Sequence, residues 1–450
     1  MTRTDETDPP QRTAPRPPDS ETPPEPVATG PVCWGQQWGW TEQQRPVTLR
    51  SPALLFDDTL VFPGLVLSPE DLRAAVRTLV ARHESLRTTY SVDDGRPVQN
   101  LWPPDADMFE LIDVGEHVDD EGPPELEIDI RRKWPLRIVM GNPDPNTTGL
   151  FIIAHHIATD RFGFAALLRD LREIITAGAR GEEPRLPPPG RQPLELAAFE
   201  TSDEGRRTNE RALKHWLSHR DDLEAVLTSL RAGFDTPDPD MHVLRATSKT
   251  ASERFGRLAA AKQASKAAVA LAAVAKALAA FIGHRTVPMY MLVNNRHLPG
   301  LKNSVASVVQ AGLVAVDAAP DRDPEQAVPA AMRSIVQAMR RAHYNGEDLA
   351  DHTASFEGFA VDSPVSLPSI DFNYDAPPPR KPPLEESRDG DLTLQRWLVE
   401  RPCRGLNFHV YSTDEELTFE LRAGTHLISG AEGTALLASL MDRSLWAGPR

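Results

Sequence analysis

Cysteine, positive charge and uninterrupted apolar runs are all scarce in this chain. Only Cys33 and Cys403 occur, far apart and in no CxxC arrangement, which excludes a disulfide framework and a thiolate zinc cluster. The N-terminal residues contain no apolar segment of the kind that directs export, so the expected setting is a reducing cytoplasmic one with both thiols free. Lys and Arg number 49 against 65 Asp and Glu, a formal net charge of −16. A surface of that sign repels phosphate backbones and anionic lipid heads, so no nucleic acid and no membrane is expected as a partner. The longest apolar stretch, Ala267–Ile282, carries Lys276 in its middle and Lys266 at its edge; too short and too interrupted to cross a bilayer, it predicts a core helix. No Gly-x-Ser-x-Gly element marks a nucleophilic serine, and His215, His219, His409 and His426 show no ligand spacing for zinc.

What is present suffices for two to four compact units: 450 residues, 40% of them hydrophobic, at roughly 100–200 residues per domain. Residues Met1 to Ala28 hold eight prolines and almost no large apolar side chains. Ordering them would cost backbone entropy with no burial to offset it, which predicts a disordered tail over 1–28. Trp34, Trp38 and Trp40 then fall within seven positions and read as aromatic core anchors. Five prolines within Pro184–Pro193 can continue neither helix nor strand and predict a boundary there, between an N-terminal lobe over 29–183 and a C-terminal lobe over 194–450.

In the second lobe, periodicity predicts helices over Glu210–Leu223, Ala259–Ile282 and Ala431–Ser444. Strands are expected over Val287–Val293, Leu313–Val316, Ile370–Tyr374, Leu406–Tyr411 and Leu417–Leu421, and a surface loop over Ala376–Pro383. In the first lobe, Ser68-Pro69-Glu70-Asp71 combines an N-cap, a first-turn proline and two acids, and predicts a helix running to about Arg82. The continuous apolar run Gly149–Ala154 predicts a strand buried on both faces. It delivers His155 and His156 at its end, and helical spacing of Phe164, Leu168, Leu171 and Ile175 begins beyond Asp160. An imidazole there can take a proton from an attacking amine or hydroxyl near neutral pH, and a nearby carboxylate can orient the structure around it. A structural or surface histidine pair is the alternative reading of those residues alone.

The segment His155-His156-Ile157-Ala158-Thr159-Asp160 resembles the HHxxxDG signature of nonribosomal-peptide condensation domains, within the chloramphenicol-acetyltransferase-like superfamily. Arg82-His83-Glu84-Ser85-Leu86-Arg87-Thr88-Thr89-Tyr90 resembles the family's RHExLRTxF segment, and Gln36-Gln37-Trp38 its opening AQxxxW-type motif. Further along, Arg211–Trp216 looks like its mid-chain helix, Asn295–Leu301 its GRxxPGL turn and Ser304–Asp317 the segment that follows. The resemblance covers about residues 31–447, and a free-standing protein without adenylation, carrier or thioesterase domains is expected from it.

This resemblance implies an α/β fold of two chloramphenicol-acetyltransferase-like lobes in a V-shaped arrangement with a tunnel between them. It implies an acyltransferase of specialised-metabolite, nonribosomal-peptide-like biosynthesis, including that of antibiotics, joining a carrier-tethered acyl or aminoacyl thioester to an amine or hydroxyl acceptor as an amide or ester. By the same resemblance His156 is the central base or positioning group, His155 supports it, and Asp160 is structural, paired with Arg296. No metal or bound cofactor is implied for this chain; phosphopantetheine arrives on carrier proteins acting in trans, and the acceptor is a small molecule or a peptidyl group.

The sequence departs from the family at several points. Arg161 stands where the motif has Gly, adding bulk, five donors and a fixed charge. It is a candidate substrate gate: it could enter the tunnel and bind a carboxylate, block the tunnel and leave a non-catalytic docking module that binds a peptide or recruits a tailoring enzyme, or turn to solvent. Gly35 and Gly39 flank the tryptophans, and Asn295 stands where Gly is common. Asp371-Phe372-Asn373-Tyr374 reads as an ordinary core strand. Acidic carriers would need a basic patch, for which Arg131-Arg132-Lys133 and Arg340-Arg341 are candidates; an ordinary solvated face is the alternative for each.

Overall fold

A computed structural model describes residues 25–46, 50–51, 54–115, 127–230, 240–319, 324–355, 370–375, 382–400, 403, 405–413 and 415–442. The first part of the chain contributes β1 (Ala28–Pro31), α1 (Trp34–Gln43), β2 (Leu55–Pro63), α2 (Pro69–Arg82), β3 (Thr88–Asp93), β4 (Arg96–Leu101), β5 (Glu110–Gly115), β6 (Leu136–Asp144), β7 (Thr147–His155) and α3 (Arg161–Ala179). Three helices follow, α4 (Pro193–Glu200), α5 (Asp203–Leu217) and α6 (Arg220–Leu230). The remainder is β8 (Asp240–Ser248), α7 (Lys249–Ala261), α8 (Lys266–Ile282), β9 (Thr286–Val293), β10 (Gln310–Asp317), α9 (Pro324–Arg341), α10 (Gly346–Thr353), β11 (Ile370–Asp375), β12 (Glu385–Asp389), β13 (Leu392–Glu400), β14 (Leu406–Ser412), β15 (Leu417–Gly424) and α11 (Gly430–Met441).

The first part builds a four-stranded sheet, β2-β7-β6-β5, and a three-stranded sheet, β1-β4-β3. Strand β7 is central, which explains its apolar run: Leu150, Ile152 and Ala154 pack with Leu72, Val76 and Leu79 of α2 and Leu167 and Leu171 of α3. The alternate residue Ile153 points the other way, toward Trp40, Tyr90 and Ile157. Of the predicted tail, residues 1–24 lie outside the described residues, but the boundary at 28 is too late. Val27 N–H donates to Leu101 O at 2.7 Å and Ala28 pairs with Leu101, so the chain already covers the open edge of β4 there.

The second part builds one eight-stranded sheet in the order β10-β9-β11-β14-β15-β8-β13-β12. Its core side is filled by α7, α8, α9 and α11. The helix expected over Ala259–Ile282 is in fact two, bent by 107°. Gln263 takes a left-handed φ of +50°, and Ser265 Oγ accepts the Ala268 N–H to start α8 afresh. Alanine on every side lets α8 be buried all round, and Lys276 in its middle donates to Ala319 O at 2.7 Å. No single helix among the described residues is long and apolar enough to cross a membrane.

The expected Glu210–Leu223 helix is likewise two, because the chain turns at Ser218–His219, whose N–H groups bond back to Lys214 and Trp216 carbonyls. The last helix ends at Met441, and 443–450 lie outside the described residues, as do 376–381 of the expected Pro-rich loop. Strands β1 to β6, β8, β12 and β13 had no counterpart in the sequence analysis: β12 is polar and exposed along its length, and in β2 Asp57, Asp58 and Thr59 split the apolar residues.

Two segments tie the parts together. Helix α4 packs through Leu196 and Ala197 against Cys33, Ala306 and Val308. The loop joining β9 to β10, residues 294–309, leaves the large sheet and enters the first core, where Val305 is buried and its carbonyl accepts from Ser85 Oγ at 2.6 Å. Helix α1 lies directly on this loop: a side chain at Gly35 would overlap the Ser307 carbonyl, and one at Gly39 would sit 3.0 Å from Ile157 Cα. The glycines that break the family pattern are therefore required by close approach.

Gly35→Ala is expected to destabilise the protein by about 1–3 kcal/mol through overpacking. Gly178→Ala, in a helix with nothing within 4 Å of the added carbon, is expected to stabilise by about 0.5–1 kcal/mol. Denaturant unfolding of the two variants checks both signs.

Candidate active site

Strand β7 ends at His155, and the next residue opens onto a cavity. The backbone N–H of His156 still donates to Leu54 O at 2.6 Å, which extends the pairing with β2 by one residue. His155, on the face that Ile153 occupies, is buried. Its Nδ1 accepts the Ile157 N–H at 3.0 Å, so the ring proton sits on Nε2, which donates to Gln43 Oε1 at 3.0 Å. Burial, the neighbouring His156 and Arg50 push its pKa down to about 3. It is a neutral residue that fixes the turn.

His156 has different surroundings. Its ring lies edge-on to Trp38, centroids 4.7 Å apart, and against Phe56 at 4.9 Å. Nδ1 is 3.3 Å from Ser307 Oγ, whose own proton is committed to Gly35 O at 3.0 Å. With that proton on Gly35 O the serine oxygen accepts from the ring, the assignment that puts the imidazole proton on Nδ1. Nε2 has no hydrogen-bond partner among the described residues. Burial lowers the His156 pKa below the ordinary 6.5, opposed in part by its own backbone carbonyl and by Asp160, and the ring is neutral at physiological pH.

Asp160 caps α3 through Gly163 N–H at 2.8 Å and also accepts Val308 N–H at 3.1 Å. Arg296 Nη2 reaches its Oδ1 at 2.5 Å, and Arg296 Nη1 donates to the Leu301 and Ser304 carbonyls at 3.0 and 2.8 Å. Asp160 is buried and the Arg296 side chain is largely covered, and between them they hold the 294–309 loop on the N-terminus of α3. Asn295 has a left-handed φ of +53° and its amide donates to Val308 O and Ala342 O, both at 2.9 Å. Asn is one of the few non-glycine residues that tolerate this conformation, which accounts for its departure from the family's Gly.

Arg161 is the first residue of α3. It is exposed and outside the cavity lining, with no ion pair among the described residues. Asp160 turns inward as the cap and the next side chain leaves the buried face, so Arg161 is not among the residues that line this cavity. Close approach falls instead at Gly163, where an added carbon would overlap Thr159 Oγ1 and lie 3.1 Å from Arg296 Nη2. The two basic clusters are partly engaged: Arg131 donates to Gln44 at 2.5 Å, Lys133 to Glu110 at 3.1 Å, and Arg340 and Arg341 close α9.

The cavity, about 380 Å³, lies between α1 and the end of the large sheet. Its walls are Trp34, Gln37, Trp38 and Thr41 of α1, His156, Trp216 of α5, Tyr290 and Leu292 of β9, Tyr344, Glu347 and Leu349 at and around α10, and Asp371 and Asn373 of β11. The reading of residues 371–374 as plain core strand holds for Phe372 alone; strand alternation sends Asp371 and Asn373 to the opposite face. Ser307 and Phe56 went unrecognised because no local pattern links them to His156.

Asp160→Ala and Arg296→Met are each expected to cost about 3–5 kcal/mol, because each strands a buried charge. The double variant should be less destabilised than the sum of the two, which a double-mutant cycle by denaturant unfolding checks.

A family model, condensation domain, matches residues 65–432. Among characterised relatives, the chain is 26% identical over 364 residues to phosphinothricin tripeptide synthetase PhsC of Streptomyces viridochromogenes, covering 74% of this chain and 32% of that protein. It is 25% identical over 291 residues to cyclosporin synthetase simA of Tolypocladium inflatum, covering 62% of this chain and 2% of that protein. Nonribosomal peptide synthetase agiA of Aspergillus flavus is 30% identical over 157 residues, 32% of this chain and 2% of the relative. The chain thus spans only a small part of the length of these relatives. Among solved structures, the condensation domain that mediates chain release from the enacyloxin polyketide synthase has a TM-score of 0.66 at 21% identity, covering 97% of this chain and 86% of that one. The X-domain solved with OxyB from teicoplanin biosynthesis has a TM-score of 0.65 at 17% identity, covering 96% and 95%. SgcC5 from Streptomyces globisporus has a TM-score of 0.63 at 18% identity, covering 93% and 98%. The fold is that of two chloramphenicol-acetyltransferase-like lobes, and the chain belongs to the condensation-domain family.

Proposed function

We propose that the protein is an acyltransferase that joins an acyl or aminoacyl thioester, carried on the phosphopantetheine arm of a partner carrier protein, to an amine or hydroxyl acceptor, with His156 as general base. The observation that carries this reading is the Ser307 hydroxyl set between Gly35 O and His156 Nδ1, which supports a proton on Nδ1 and an Nε2, without a partner among the described residues, beside the cavity. Family membership and the peptide-synthetase relatives support the thioester donor.

In the proposed reaction the acceptor nitrogen or oxygen attacks the thioester carbonyl carbon, and its proton passes to Nε2. The carbonyl π electrons move onto oxygen, giving a tetrahedral intermediate. Its collapse re-forms the carbonyl and breaks the carbon–sulfur bond, and the departing thiolate takes the proton back from the imidazolium. The products are an amide or ester and the free carrier thiol. Trp38 and Phe56 hold the ring plane, Ser307 holds the tautomer, and Asp160 acts through the loop that carries Ser307.

His156→Ala is expected to lower acyl transfer about 10²–10⁴-fold, and Ser307→Ala about tenfold, as measured by intact-protein mass spectrometry of a loaded carrier with candidate amines. Equal turnover by wild type and His156→Ala contradicts the base role, and no turnover with any loaded carrier contradicts the acyltransferase reading. Burial lowers the His156 pKa, so the neutral, competent form persists below pH 6.5. The rate is therefore expected to stay flat through neutral pH and fall only below that value; an acid limb centred above 6.5 would show a base that is not this desolvated ring.

A further inference from the structure

We propose that the cavity beside His156 selects a substrate bearing a positive charge, an organic ammonium group placed apart from the reacting nucleophile. The inference rests on that cavity being the substrate site of the proposed acyl transfer. Three observations carry it.

The first is which polar groups the protein has already used. Gln37 spends both ends of its amide on α10, donating to Asn345 Oδ1 and accepting from Gly346 N–H, each at 2.8 Å. Gln310 donates to Tyr344 O at 2.7 Å, and Tyr344 Oη donates to Ala311 O at 2.9 Å. These groups brace the walls. Glu347 is not used in this way: its side chain is exposed on the first turn of α10 and has no partner among the described residues.

The second is the sign of the lining. Two carboxylates, Glu347 and Asp371, face the cavity, and no Lys or Arg does so among the described residues. Asp371 stands opposite Tyr290 in the β11–β9 register, and its charge adds to burial in holding the Tyr290 phenol protonated. The chain's net charge of −16 acts in the same direction on an approaching ligand.

The third is the aromatic content. Trp34, Trp38, Trp216, Tyr290 and Tyr344 all line the space; Trp216 packs 5.3 Å from Tyr290 and 5.9 Å from Tyr344, centroid to centroid. Ring faces attract cations and are indifferent or repulsive to anions. Trp216 is 2% exposed, and its Nε1–H has no partner among the described residues, which leaves a buried donor at the cavity wall for a ligand acceptor atom. A carboxylate-bearing substrate would meet the like charge of Glu347 here; an ammonium meets that carboxylate and an aromatic wall.

The test is calorimetric titration of the full chain, with no carrier present, against three near-isosteric probes: tyramine (cationic), tyrosol (neutral) and 3-(4-hydroxyphenyl)propionate (anionic). Tyramine is expected to bind about tenfold more tightly than tyrosol, with the propionate weakest. Glu347→Gln should weaken tyramine about fivefold and leave tyrosol unchanged. Glu347 is exposed, so its variant keeps the fold and the test stays valid. Binding of tyrosol or the propionate as tight as that of tyramine, no binding of tyramine, or unchanged tyramine affinity in Glu347→Gln would overturn the inference. Because binding is read without turnover, a protein that prefers tyramine yet transfers no acyl group contradicts the acyltransferase reading alone.

Discussion

The Asp160–Arg296 ion pair is the constraint on which the arrangement of the site depends. One carboxylate caps α3, receives a backbone amide of the 294–309 loop and receives the guanidinium that gathers that loop's carbonyls. Together with the Ser85–Val305 and Ser307–Gly35 hydrogen bonds, it holds a segment of the large sheet's connection inside the first core, which brings Ser307 beside His156. A buried pair of this kind contributes little net stability relative to an apolar substitute, yet is costly to break on one side. Its contribution here is positional.

From that anchor the chemistry of two adjacent histidines diverges. His155 and His156 alternate across the end of one strand, so one ring is buried against Gln43 and the other meets a cavity. A backbone donor sets the first ring's proton on Nε2, and a serine whose own proton is spoken for sets the second's on Nδ1. Both are neutral, because burial disfavours the charged form of each. Only the second leaves a ring nitrogen without a partner among the described residues, and the hydrogen bonds that favour opposite tautomers come from residues that neither histidine's immediate sequence specifies.

Much of this was legible in the chain. Local patterns were reliable where burial was two-sided or a cap was present: the β7 run, the Ser68 cap of α2 and the α3 periodicity reappear within a residue or two. Breaks inside apolar segments were not visible, since the turn at Lys262–Ser265 interrupts a composition that stays favourable for helix throughout. In the site, HHxxxD and the Arg296 turn were legible through family resemblance, whereas Ser307 lies 151 residues from His156 and only the fold joins them. Asp371 could have been found from alternation around Phe372, which is fully buried. Substitutions that looked like damaged motifs have local reasons: Gly35 and Gly39 admit a close helix–loop contact, Asn295 occupies a left-handed position, and Arg161 lies outside the cavity.

The central claim is that His156 is a neutral imidazole protonated on Nδ1 with Nε2 free. The most direct measurement is nitrogen-15 NMR of histidine-labelled protein at neutral pH, with the His156→Ala variant used to assign the ring signals. The account predicts a proton-bearing Nδ1 and an unprotonated, pyridine-like Nε2 for this residue, the reverse of His155. A protonated Nε2 on His156, as either the other tautomer or the imidazolium, would contradict it.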